Sequence, residues 1–240
     1  MIVAVGAVLP PGLSEHAPLR HLPDGRAGVV AGPDLGPWLK RRKDARLLAR
    51  ASELALPAAG VAMGAFTGNP EELGIFVAVG REPPDEGDAE ASLVAMERGG
   101  ELELSALRGD GRALYPPLLP LRTLPNMVLA HVAIQHGIRG ENAVFAGGEE
   151  AGRHAWEAAN DALAEGRCTW ALVGAAFSAV DLASARDRLR LGLDGPPGEG
   201  AIFALLSAPA PLPGQDAAAW AARIGDVGPV TALLGVVAPG

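Results

Sequence analysis

Aromatic side chains are scarce: Phe, Trp and Tyr make up 4% of the 240 residues. The core must therefore be assembled from Ala, Val and Leu, with little help from large rings. Lysine is scarcer still, since Lys40 and Lys43 are the only two among 20 basic residues. The formal net charge is −8 and the pI about 5.1, which argues against a nucleic-acid partner, because affinity for phosphate backbones comes from clustered Lys and Arg. A single cysteine, Cys168, rules out a disulfide or a Cys-based zinc site within one chain. No stretch of about 18 apolar residues is free of charges and breakers, so no membrane span is expected. The N-terminal MIVAVGAVLPPG lacks the basic start and small-residue cleavage site of a secretory signal, so a cytoplasmic location is expected. No metal and no cofactor is expected either.

What remains is an ordinary globular balance, 49% hydrophobic and 20% charged, with 32 Gly and 21 Pro marking many turns. Residues 1–240 are read as one domain. Short apolar runs at 2–9, 74–79, 142–146, 169–173 and 201–206 suit buried strands, with a last strand expected at 222–227. Between them, helical spacing predicts a helix running on from Asp44 to Ala62, kinked or split at Pro57. Further helices are expected at 91–98, at 125–136 with Pro at the first position, and at 149–166, closed by a C-terminal Gly. Residues 12–37 and 109–125 read as loop. Helices alternating with buried strands define an α/β class with a five-stranded mixed sheet and helices on both faces.

The informative block runs from Asn126 to Asp181: a helix opening at Asn126-Met127, then Gly137-Ile-Arg-Gly140-Glu-Asn142, a strand, a Gly147-Gly148 turn, a long helix, Gly166 and a strand reaching Gly174. This order resembles the N-terminal half of the β-ketoacyl synthases of the thiolase superfamily, with Gly152 and His154 also at matching positions. Farther out, the helix with Asp44, Arg46 and Ala51 resembles the family's first long helix. Gly198-Glu199-Gly200-Ala201 resembles the motif that opens the last strand of its first half, and Ala222–Gly228 the strand that follows.

The resemblance makes the departures informative. The family's nucleophilic Cys lies nine residues beyond the position of Gly140, and that residue here is Glu149. Attack on an acyl thioester needs a thiolate at the strand–helix elbow, where the helix N-terminus favours it. Cys168 sits at the far end of the helix and cannot replace it. The family's second half supplies two histidines and a lysine for decarboxylation, yet no histidine follows Gly200. The five histidines are 16, 21, 131, 136 and 154; His131 and His136 have poor same-face spacing, and His154 matches a non-catalytic position. Gly80-Arg81-Glu82-Pro83-Pro84 replaces a Gly-rich stretch that contacts substrate in the family.

Several readings of Glu149 follow. With Glu150 it favours the positive end of a helix, by about 0.3–1 kcal/mol. Chain-length factors, the partners of ketosynthases, have lost the Cys and shape the acyl tunnel of an active subunit; their likeness implies a non-catalytic partner in fatty-acid or polyketide synthesis, with aryl-polyene pathways as one setting. A buried Glu149 would instead serve as general acid or base in a malonyl-thioester decarboxylase or acyltransferase. A third reading is an acyl-carrier-protein scaffold, with Lys40, Arg41, Arg42 and Lys43 meeting the carrier's acidic surface. The resemblance implies a dimer, with a full-length β-ketoacyl synthase or with itself. Its edge-to-edge contact would be made by Asn142, Val144 and Phe145 and flanked by Asn126 and Met127. Because a lone half leaves a face uncovered, the Ala-rich helix 149–166 is expected to pack against a partner helix.

Overall fold

The five apolar runs from 2–9 to 201–206 all form strands, and they join into one sheet. In the computed structural model, which describes residues 1–15, 25–81, 84, 86–214, 217–224 and 226–237, these are β1 (Ile2–Val8), β4 (Leu73–Val79), β7 (Asn142–Ala146), β8 (Trp170–Ser178) and β9 (Glu199–Leu206), in the order β1-β9-β8-β4-β7. β8, β4 and β7 run parallel, while β9 is antiparallel to both β8 and β1, so the sheet is mixed. The inner strands β4 and β9 are buried along their whole length, which is why they read as unbroken apolar runs rather than alternating ones. Among the described residues two small antiparallel pairs occur besides this sheet: β2 (Leu13–Glu15) with β3 (Arg26–Gly28), and β5 (Glu97–Arg98) with β6 (Glu101–Leu102). The first lies inside the stretch expected to be loop.

Helices cover both faces. On one, α1 (Arg50–Met63), through Leu54 among others, and α4 (Met127–His136) pack over Ile75, Val77, Leu172 and Phe203. On the other, α5 (Glu149–Ala164) covers Phe76, Val173, Ile202 and Leu206 through Ala155, Trp156, Ala159 and Ala162. Burying side chains of the Phe76, Phe203 and Leu172 kind is worth about 1.5–3 kcal/mol each. Alanines contribute less individually but let α1 and α5 approach the sheet closely. The remaining helices are α2 (Glu86–Met96), α3 (Leu119–Thr123), α6 (Leu182–Leu191) and α7 (Ala217–Ile224).

Several expectations need correction. The start of the strand expected at 222–227 is helix instead: Ala217–Ile224 (AAAWAARI) is helical, as its run of alanines favours, and Trp220 packs onto the α5-side core. The first long helix begins at Arg50 rather than Asp44; residues 42–47 form a 3-10 helix, and Leu48 and Ala49 are extended, which lets Leu48 turn into the core. Pro57 does not split α1, which runs through it with Pro57 buried. The lost N–H costs a helical bond, and the packing of a fully buried segment offsets it. The helix at 125–136 starts at Met127, after Asn126, so Pro125 precedes it rather than occupying its first position.

Candidate functional site

The end of β7 and the start of α5 meet at a sharp turn. Val79 at the end of β4 accepts from Gly147 N–H at 2.9 Å, Gly148 precedes the helix, and Glu149 is its first residue. The elbow opens into a cavity of about 680 Å³. Gly80, Gly147, Gly148 and Glu149 line it together with Phe177 of β8 and Ser184, Arg188 and Leu191 of α6.

Helix α6 was not anticipated from the sequence, although its signals are present. Asp181 caps its start, accepting from Ser184 N–H at 2.8 Å and from Ser184 Oγ at 2.6 Å. Gly192 closes it with φ +62. The Arg188 side chain is 7% exposed and donates to Asp226 Oδ2 at 2.6 Å and to the carbonyls of Asp194 and Gly195 at 3.1 Å. Arg81 pairs with Asp187 across the mouth; Glu82 and Pro83, also singled out in the sequence, lie outside the described residues.

The Glu149 carboxylate does not sit in a buried pocket. Its side chain is 38% exposed and accepts from Arg153 Nη2 at 2.5 Å, one helical turn along. The reading of Glu149 as a buried acid or base therefore loses its premise. Cys168 lies at the opposite end of α5, buried against Gly74, and burial pushes its thiol pKa up, away from the thiolate form that attacks thioesters. His131 and His136 sit on α4, on the other face of the sheet. Burial lowers both pKa values, for His136 with a further contribution from Lys40, and the Nε2 of each lacks a hydrogen bond. His154 is exposed and tilts its ring against Phe145 at 6.3 Å. His16 and His21 fall outside the described residues. Among the described residues no cluster of three or more His, Cys, Asp or Glu is arranged to hold a metal ion.

Among the described residues β7 pairs only with β4, so Asn142, Val144 and Phe145 lie on an edge strand. Val144 faces the α1/α4 side, the side to which the helix opened by Asn126 and Met127 belongs, and Phe145 faces α5. Ile75 donates to the Glu141 carbonyl and Gly147 to Val79. By the alternation of a parallel ladder, the N–H groups of Asn142, Val144 and Ala146 therefore point to the open edge.

The basic cluster is partly committed within the chain. Lys40 Nζ donates to the Ile134 carbonyl at 2.6 Å and its N–H to Gln135 Oε1 at 2.7 Å, capping the C-terminal end of α4. Arg41 pairs with Asp44 at 3.2 Å. Arg42 and Lys43 are exposed.

A second carboxylate, Glu199 of the Gly198-Glu199-Gly200-Ala201 motif, has the opposite surroundings. It is 0% exposed. Its Oε1 accepts from Val30 N–H at 2.9 Å and from Arg50 Nη2 at 2.7 Å; its Oε2 accepts from Arg50 Nε at 2.9 Å and from Ser178 Oγ at 3.0 Å. The hydrogen bond from Glu199 is the main cause raising the Arg50 pKa above its ordinary value. The motif therefore ties the start of α1 to β8 and β9, on the sheet face remote from α5.

A five-stranded mixed sheet between helices, with a glycine turn feeding a long helix at the end of the third strand, is the thiolase-like fold of ketosynthase domains. The family described as "Beta-ketoacyl synthase, N-terminal domain" matches residues 39–198, and the chain belongs to it. No curated protein matches by sequence. Among solved structures, a type II polyketide acyl-carrier protein in complex with its ketosynthase bound to the hexaketide is similar at 16% identity and a TM-score of 0.65, over 86% of this chain and 61% of that one. The ishigamide ketosynthase/chain length factor matches at 22% identity and 0.58, over 85% and 60%. A β-ketoacyl synthase from Burkholderia phymatum matches at 18% and 0.58, over 86% and 58%. The chain thus spans about three-fifths of the length of these neighbours. Among the described residues no helix is long and apolar enough to cross a membrane.

Proposed function

We propose that residues 1–240 act as one domain, a non-condensing, chain-length-factor-like partner of a β-ketoacyl synthase in cytoplasmic fatty-acid or polyketide assembly, aryl-polyene pathways included. The observation that carries this reading is the elbow. Where condensation needs a thiolate, the chain presents a half-exposed carboxylate held by Arg153, and its only thiol is buried at the far end of the same helix. Two of the similar structures contain a ketosynthase together with an acyl-carrier protein or a chain length factor, which supports a role beside such proteins.

The partner subunit is a full-length ketosynthase, or a second copy of the chain, added to the β7 edge. That edge is short and uncharged, with Val144 and Phe145 half-buried, and left unpaired it would invite aggregation. Acyl-carrier protein would meet the exposed basic cluster of Lys40, Arg41, Arg42 and Lys43, so its contribution is electrostatic and salt-sensitive.

Assembly is tested by sedimentation of the chain alone and mixed with a full-length ketosynthase from the same organism. Val144→Pro removes a donor that points away from β4, so the β4–β7 ladder survives while the outer one cannot form. The expected result is a dimer or heterodimer for the parent chain and a monomer for the variant. A parent chain that stays monomeric in both experiments at high micromolar concentration overturns the partner reading.

A further inference from the structure

The small-residue face of α5, expected to await a partner helix, is already covered by the chain itself. Residues Gly228–Val236 form a 3-10 segment lying along α5, with Val230 and Leu233 fully buried and Ala232 and Leu234 nearly so. Val230, Leu233 and Leu234 share one apolar cluster with Ala151, Ala155 and Trp156. The approach is backbone-close: a Cβ on Gly152 would enter the van der Waals shell of the Pro229 carbonyl oxygen and press on Ala232 Cβ, and a Cβ on Gly235 would meet the Pro213 carbonyl.

The segment is fastened at its start by Asp226, whose carboxylate accepts from Arg188 at 2.6 Å and from Gly228 N–H at 2.9 Å. The Asp226 backbone also bonds Pro196 and Gly198, both at 2.9 Å. The loop behind it is pinned to α5: Trp156 Nε1 donates to the Ala210 carbonyl at 2.8 Å, and Asn160 Oδ1 accepts from Ala210 N–H at 2.6 Å. The side of α5 left to solvent carries Arg153, Glu157 and Asp161, charges that would be costly to bury against another helix without partners.

We infer that residues 226–237 form an intramolecular strap that occupies the α5 face where a partner helix was expected. The strap also supplies Gly228 and Thr231 to the wall of the elbow cavity. It does not rest on the partner reading above.

Hydrogen exchange on the isolated full chain, with no ketosynthase present, tests the strap. Amides 230–234 should exchange at least about 100-fold more slowly than an unstructured peptide, in the range of locally stable structure. Gly152→Val and, independently, Gly235→Val should each speed their exchange at least about tenfold and induce binding of a hydrophobic dye, while α1 amides stay protected. Unprotected amides at 230–234 in the parent chain overturn the inference even where neither variant folds, as does unchanged exchange in both folded variants. Failure to bind a ketosynthase would count against the partner reading and leave the strap result untouched.

Discussion

Glu149 and Glu199 are two carboxylates in two family-like motifs, and the chain treats them in opposite ways. Glu199 is sealed from water and receives four hydrogen bonds, so its charge is fully compensated and its work is to join β9 to α1. Glu149 stands at the rim of a cavity, half exposed, with Arg153 as its ion-pair partner. A buried, saturated carboxylate is a tie; a partly exposed carboxylate paired with one exposed cation is exchangeable surface chemistry. Sequence motif alone does not separate them, because both sit beside glycines at the start of a regular element.

The largest expected effect is at the tie. Arg50→Ala leaves the buried Glu199 with only Val30 and Ser178 as donors and should cost about 3–5 kcal/mol of unfolding free energy, as for a broken buried pair. Glu199→Ala should cost less, about 3 kcal/mol, because the orphaned Arg50 side chain is 28% exposed and keeps Glu53 at 3.2 Å. Urea unfolding of both variants checks the ranking. Equal and small losses would mean that the tie carries no load.

An intermediate effect belongs to α4, on the same sheet face as the Glu199 tie and opposite the α5 side. His131 and His136 are held neutral by burial, with folded pKa values below the ordinary 6.5. The unfolded chain therefore binds more protons between the two values. The stability these residues supply is complete above about pH 6.5 and is lost as the pH falls toward the folded pKa, with a slope of at most about 1.4 kcal/mol per pH unit for each imidazole. Unfolding measured at pH 7.5 and 5.5 should show the loss, and His131→Leu should flatten the profile. A profile as steep in that variant as in the parent chain would remove His131 from the account.

The smallest effect is at the elbow. Glu149→Gln deletes an exposed i,i+4 ion pair and should change stability by only about 0.3–0.5 kcal/mol. A loss comparable to that of Arg50→Ala would erase the contrast between the two carboxylates.

The sheet was legible because each of its strands is an apolar run between turn residues, and the longest inner ones are buried on both faces. The elbow was legible because Gly147-Gly148 before Glu149-Glu150 is a turn followed by a helix start. Helix α6 was missed although Asp181 and Gly192 mark its two ends, because its polar composition (LASARDRLRL) gives little apolar periodicity to read. The strand expected at 222–227 failed where apolar content was taken for β structure while alanine favoured helix. The covering of α5 was not legible at all: which residues press on Gly152 is decided by a segment far along the chain. The basic cluster illustrates the same limit, since Lys40 is recruited to the end of α4 by residues 94 and 95 positions away.

The central claim is that this chain does not condense acyl units by itself, and the most direct measurement is a condensation assay. Purified chain is incubated with acyl- and malonyl-carrier protein, and β-ketoacyl product is read by mass spectrometry. The expected result is no product above background for the parent chain, because Glu149, and not a thiol, stands at the elbow. Product formed by the parent chain above background would contradict the account.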